Sequence, residues 1–498
     1  MWRKPFKTLI TLFFTLLFFI SCQKNPIELP LSVIAEKRDL DNYIIDKIKA
    51  TDEPFDWANT DDDVLFKALV FSDKTLVVGY SDGINTDKAL GERLLRKVYE
   101  LEGKTPARLG ALDETLIYKD EELGFFSVKV SKLSTLKSIR KEQGVVFTQP
   151  NEYVPDLKLL GIENGGFSSS NAASKVSLAG KVVDPSQPNY AQQVKNFSGS
   201  FHTKMVRHNV DQIYNKYEKF GEGIGVAILD NGLIPEKFDF FNNNGYGKRS
   251  MAGYFNSLWA LTNSEFDGVS PQENDLLGHS LLIQGQWTHG SSMMEAVLLM
   301  APNADIKTVR ASSLVALLFV DGILGVVNSL KALANDPDNR VASMSMGTIF
   351  VDNRIGNAVR LYHKNGKILN AASGTMIDGL KFILKVIYPA NMPQAFALTG
   401  IEDRTTTDGN FVEGENSTTG RRLDFCVERN QSSSEATSAM AGMVSLIWSA
   451  NPSLTRAQVW DILIKSSYFY QNNNGQKHPK FGWGTVDALQ AFEMALNK

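Results

Sequence analysis

A chain of 498 residues is longer than one ordinary core, and roughly 100 to 200 residues per domain predicts two or three units. Hydrophobic residues make up 43% and charged residues 21%, which excludes wholesale disorder and a multi-span membrane protein. A net charge of −3, with no long Lys/Arg run, gives no footprint for nucleic acid.

Arg3, Lys4 and Lys7 precede an apolar run from Leu9 to Ile20 that is broken only by Thr and stops at Ser21-Cys22. A basic start and a short apolar stretch form the pattern of an export signal. The run is short for a bilayer and is followed by polar Gln23 and Lys24, which argues against a retained transmembrane helix. Phe19-Ile20-Ser21-Cys22 also resembles the lipobox of bacterial lipoproteins, with Phe where Leu is usual. That resemblance makes residues 1–22 a signal segment and implies a lipid on Cys22 that tethers the chain to a membrane of the cell envelope. Cys426 is the only other cysteine, so a lipidated Cys22 leaves no pair for an intrachain disulfide.

Residues 23–65 carry no clear period and predict only a connecting segment. Thr75–Tyr80 predicts a strand, and Leu90, Leu94, Leu95, Val98 and Leu101 predict a helix over 87–103. Gly124–Val130 alternates as a strand, Ser134–Gln143 predicts a helix, and Val145–Thr148 returns as a strand. This order predicts a small β-α-β-β-α-β module over residues 66–155. Residues 156–200, rich in Gly, Ser, Asn, Ala and Gln, predict an exposed linker. From residue 201 to the end, apolar runs at Ile224–Leu229, Ile306–Val309, Val341–Met346, Ile368–Ala372 and Ala395–Thr399 alternate with helical patterns. That alternation predicts an α/β domain with a mostly parallel sheet flanked by helices, whose functional groups gather at the carboxyl ends of the strands.

Three segments carry residues suited to chemistry. Gly225–Leu229 is a buried-type strand ending in Asp230 and the turn pair Asn231-Gly232, which places an acid to orient a histidine; an ordinary turn start explains the same residues. His289 opens the helix-like run to Met300, with His279 as its local competitor. Ser434 lies at the start of an apolar helix, where helix-terminal N–H groups help to hold a developing oxyanion. Ser432 and Glu435 have the spacing of a capping box, which accounts for those two residues without catalysis.

Together the three segments resemble the signature regions of subtilisin-like serine peptidases, in that family's Asp, His, Ser order and without the G-x-S-x-G of α/β-hydrolases. Ala301–Asp305, Ser343–Gly347, Tyr388–Ala390 and Phe481–Gly484 resemble further landmarks, so the resemblance spans roughly residues 205 to 498. It implies Asp230, His289 and Ser434 as a charge-relay triad, with Ser345, Met346 and Gly347 lining the substrate. Ala436-Thr437-Ser438 superficially resembles the family's Gly-Thr-Ser, but the family serine precedes its final glycine by eight positions, and 442 minus 8 is 434. Ser432 and Ser433 replace the usual Gly-Thr, Glu435 an apolar residue, and Ser438 a proline. Thr375 stands where the family's oxyanion-hole Asn is usual, which implies slower turnover.

Phe126–Tyr153 resembles the second half of the family's inhibitory propeptide, so residues 66–155 are expected to fold and block the enzyme before being cut away. The resemblance implies an exported serine endopeptidase made as a zymogen, acting on proteins or peptides, with no cofactor needed for catalysis. Calcium sites and cleavage preference are not legible. The rival expectation, raised by Thr375 and the altered serine flanks, is a catalytically silent fold used as a surface binding protein.

Overall fold

The computed structural model describes residues 31–156, 199–232, 248–253, 289–312, 315–374, 385–404, 411–414, 417–428 and 432–498. Cys22, His279, Thr375 and nearly all of the expected linker lie outside these residues.

The segment expected only to connect holds structure of its own. Helix α1 (Leu31–Thr51) buries Leu40, Ile44 and Ile48, spaced four apart on one face, together with Ile45. This stripe is narrow and set among charges, so its burial comes from tertiary packing rather than from a strong periodic signal. Asp56 accepts the Ala58 N–H at 3.0 Å and starts a short turn of 3₁₀ helix that buries Trp57. Helix α2 (Asp62–Phe71) follows and buries Leu65, Ala68 and Leu69.

The predicted module forms next: β1 (Thr75–Gly79), α3 (Lys88–Glu102), β2 (Leu116–Asp120), β3 (Phe125–Lys129), α4 (Leu133–Arg140) and β4 (Phe147–Pro150). Asp87 caps α3 by accepting the Leu90 N–H, and Gly103 ends it in the left-handed region at φ 69°. The sheet order is β2-β3-β1-β4, antiparallel at every pairing. Strand β1 is buried throughout because both faces are covered. Leu76 and Val78 face the module's own helices, whereas Val77 joins Phe125 and Phe147 in a core shared with the larger domain.

That larger domain begins with α5 (Gly199–Arg207) and α6 (Val210–Tyr217), then β5 (Gly225–Asp230), β6 (Arg249–Gly253), α7 (His289–Met300) and β7 (Asp305–Arg310). It continues through α8 (Val320–Asn335), β8 (Asn339–Met344), α9 (Asn353–Lys364), β9 (Ile368–Ala372), β10 (Ala395–Arg404), β11 (Phe411–Glu413) and β12 (Phe425–Glu428). Helices α10 (Ser433–Ser449), α11 (Arg456–Lys465), α12 (Tyr468–Asn472) and α13 (Ala488–Leu496) complete the described chain. The sheet runs β11-β10-β9-β8-β5-β7-β6 with β12 beside β10, and only the β10–β11 pairing is antiparallel. Residues of α7, α10 and α13 cover one face and residues of α8 and α9 the other, giving the expected mostly parallel α/β fold.

Helices α8 and α9 are also the surface on which the N-terminal module sits. Fully buried Arg354, paired with Asp352, donates to the side chain and the carbonyl of Asn151 at 2.9 and 2.8 Å. Asn357 donates to the carbonyls of Ser81 and Leu123 at 3.0 and 2.8 Å. The two units therefore share a core sealed by hydrogen-bonded polar groups.

Candidate active site

Strand β5 ends at Asp230, whose side chain is 1% exposed. The imidazole of His289, the first residue of α7, places Nδ1 2.8 and 2.9 Å from the two Asp230 carboxylate oxygens. A neutral ring so placed carries its proton on Nδ1 and leaves Nε2 as an acceptor. The approach of α7 to the end of β5 depends on glycine: a Cβ on Gly290 would lie 2.2 Å from the Gly232 carbonyl oxygen. The Gly290 N–H is taken by Asn231 Oδ1 at 3.0 Å. Asn231 thus ties the start of α7 to the strand end, a role its turn-forming chemistry concealed.

Burial of the imidazole disfavours its charged form, but the charge of Asp230 and the hydrogen bond to it outweigh that cost, so the His289 pKa stands above the ordinary 6.5.

Ser434 occupies the first turn of α10, where Ser432 caps the helix by accepting the Glu435 N–H at 3.3 Å. It is 9% exposed, whereas Ser433 and Ser438 are 0% exposed, so of these three only Ser434 reaches any solvent. The Ser438 hydroxyl is 3.0 Å from the Ser343 hydroxyl on β8. Helix α10 lies against α7, and a Cβ on Gly442 would fall 2.6 Å from the Val297 carbonyl oxygen. The spacing from Ser434 to Gly442 therefore has a physical meaning: it runs from the first turn of the helix to a glycine where no Cβ fits against the histidine helix. Among the described residues no hydrogen bond joins Ser434 to His289. The fold brings Asp230 and His289 together and sets Ser434 in the first turn of the adjoining helix.

Ser345, just past β8, donates its hydroxyl to the Ser434 carbonyl at 3.0 Å and also lies 3.4 Å from Met293 Sδ on α7. Met346 is buried. Gly347 spends both backbone groups inside the chain: its N–H donates to the Val315 carbonyl at 3.0 Å, and its carbonyl accepts the Leu317 N–H at 2.8 Å.

Glu435 does not complete the capping box expected with Ser432. Its carboxylate is bonded instead to the ammonium of Lys204 on α5, 231 residues away in sequence. Burial pushes the Lys204 pKa down against the pull of Glu435. The two side chains are 3% and 19% exposed, so this is a largely desolvated ion pair beside Ser434. No sequence pattern links the partners. Lys204→Met is expected to lower unfolding stability by about 2 kcal/mol, because Glu435 loses its ammonium, and adding Glu435→Leu should restore most of it. Urea unfolding of the two variants measures this; an unchanged midpoint for Lys204→Met would show that the pair carries no stability.

A carboxylate–imidazole pair at the carboxyl end of a parallel strand, with a serine at a helix start beside it, defines a candidate hydrolase on an α/β fold. The sequence profile of the subtilase family, Peptidase_S8, matches residues 221–484, more than half of the 498 residues, and the chain belongs to that family of serine-type peptidases, which act on proteins or peptides. Among solved structures it is similar to fervidolysin from Fervidobacterium pennivorans, a keratinolytic enzyme related to subtilisin, with 13% identity and a TM-score of 0.54 over 84% of this chain. The chain spans 61% of the fervidolysin chain. A second similar structure, MycP1 from the ESX-1 type VII secretion system, has 14% identity and a TM-score of 0.40, covering 58% of this chain and 85% of its own. No curated protein matches the chain.

Proposed function

We propose that the protein is an exported serine endopeptidase in which Ser434 attacks the scissile carbonyl, His289 takes and returns the proton, and Asp230 holds the imidazole. The observation that carries this reading is the 2.8 Å contact of His289 Nδ1 with a carboxylate oxygen of buried Asp230. That contact points Nε2 away from the acid and makes it the ring's acceptor for a hydroxyl proton. The oxyanion would meet the N-terminal turn of α10 and the hydroxyl of Thr375. In the acylation step the Ser434 oxygen bonds to the carbonyl carbon while its proton moves to His289. The amine then leaves with that proton, and water repeats the sequence to free the acid. Labelling of the purified full chain by a small fluorophosphonate tests the reading. A chain that stays unlabelled, folded and at a pH where His289 is neutral would instead be a surface binding protein.

The N-terminal module, residues 66–155, acts in this reading as a propeptide docked on α8 and α9, and Cys22 carries the lipid. Proteolytic nicking concentrates in Gly/Ser-rich linkers, and in this reading maturation falls between about Leu157 and Ser200. Mass spectrometry is expected to find a new N-terminus in that interval for the wild type and none for Ser434→Ala. Two full-length proteins, with the wild type hydrolysing substrate, would remove the zymogen from the proposal.

A further inference from the structure

An extended peptide that brings its carbonyl to Ser434 would run along the chain that leaves β8, because the Ser345 hydroxyl already touches the Ser434 backbone. Peptides held in this manner add as a strand to a free backbone edge. Gly347 lies two residues farther along, roughly 7 Å at the rise of a strand. There the edge is occupied. Residues 315–317 run parallel to it, with Ala316 opposite Gly347 and both Gly347 backbone groups bonded, as described above. The next residue is closed from another direction: Thr348 exchanges two backbone hydrogen bonds with Tyr388, at 2.9 and 3.0 Å. Beyond it, the Phe55 N–H donates to the Ile349 carbonyl at 2.8 Å and its carbonyl accepts the Val351 N–H at 2.9 Å.

The strand that covers Gly347 is pinned by the N-terminal module. Leu318 is buried in the module's core cluster with Trp57, Tyr153 and Phe350 rather than in the core of its own domain. Two residues on, Glu152 of the module accepts the Val320 N–H at 2.7 Å and so caps the first turn of α8.

We propose that Val315–Leu318 is a built-in strand that fills part of the substrate edge, and that the docked N-terminal module holds it there through Leu318 and Glu152. This rests on the assignment of Ser434 as nucleophile. The blocking strand is the catalytic domain's own, and the module acts on it from behind. While the module is docked, the serine stays reachable by small electrophiles and the edge is closed to peptides that need several paired residues. Loosening the two pins frees the Gly347 backbone groups for substrate.

The test uses the protein with its N-terminal module still bound, verified by mass and gel filtration whether or not the linker has been cut, as wild type, Glu152→Ala, Leu318→Ala and the double variant. Two phosphonate probes share one warhead, one with a short alkyl chain and one with a tetrapeptide, and amide exchange at Leu317 and Gly347 is followed in parallel. The short probe is expected to label all four proteins at similar rates, and the tetrapeptide probe to label the variants at least tenfold faster than the wild type. Equal tetrapeptide rates in all four would overturn the proposal. If neither probe labels any protein, the assignment of Ser434 fails and exchange alone decides. Amides protected in the wild type and faster in the variants uphold the closed edge, whereas amides already unprotected in the wild type overturn it. Glu152→Ala alone removes one cap without touching the core, so a misfolded Leu318 variant does not spare the idea.

Discussion

Ser434→Ala is expected to reduce peptide hydrolysis by on the order of 10⁶-fold and to abolish fluorophosphonate labelling, whereas Ser438→Ala should keep most of both. The two serines are one helical turn apart, and only their surroundings separate them. Ser438 is fully buried with its hydroxyl against Ser343, so its removal costs about 1 kcal/mol of stability and touches no reacting atom. Ser434 sits at the helix start, partly open to solvent, on the helix that adjoins the one beginning with His289. The comparison is made with a peptide substrate at fixed pH and with melting curves for both variants. Hydrolysis that survives Ser434→Ala and fails in Ser438→Ala would reverse the assignment.

Asp230→Asn is expected to cost about 10⁴-fold in kcat while leaving the fold in place. The side chains are nearly isosteric, but an amide supplies no charge to favour an imidazolium and does not hold the ring in one tautomer. The pH profile separates this from simple damage. In the wild type His289 must be neutral to act as base and its pKa is raised, so activity should rise with pH through a midpoint above 6.5. Without Asp230, burial acts alone on the imidazole and lowers its pKa, so the residual activity should titrate at lower pH than in the wild type. The same pair shapes stability with the opposite slope. A raised folded pKa makes the contribution of the charged imidazole full below 6.5 and lost as pH climbs through the folded value. An Asp230→Asn profile with an unmoved acid limb would show that Asp230 does not govern His289.

The parallel sheet was legible because buried strands announce themselves as short apolar runs, and the five runs foreseen in the larger domain correspond to β5, β7, β8, β9 and β10. The placement of Asp230 at a strand end and of His289 at a helix start was legible because such ends are marked locally by glycine and by the end of an apolar period. Helix α1 was not: apolar residues at Leu40, Ile44 and Ile48 amid charge become a buried face only when the module's sheet and α2 lie against them. The Lys204–Glu435 pair and the closure of Gly347 by residues 315–317 were equally hidden, since each joins segments that no local pattern relates. Glu435 shows how a local rule misleads. Its spacing from Ser432 suits a reciprocal cap, and the backbone half of that cap forms, yet a distant ammonium claims the carboxylate.

In the proposed maturation, Arg354 would set how long the enzyme remains at the envelope. Under the maturation proposed above, cutting after residue 156 severs the chain between the lipid and the catalytic domain, but the guanidinium stays bonded to Asn151 on the anchored side. Leaving would strip two hydrogen bonds from a fully buried cation before water can replace them. Each 1.4 kcal/mol of that resistance lengthens residence about tenfold, so the interface rather than the cut would act as the clock for release from the membrane.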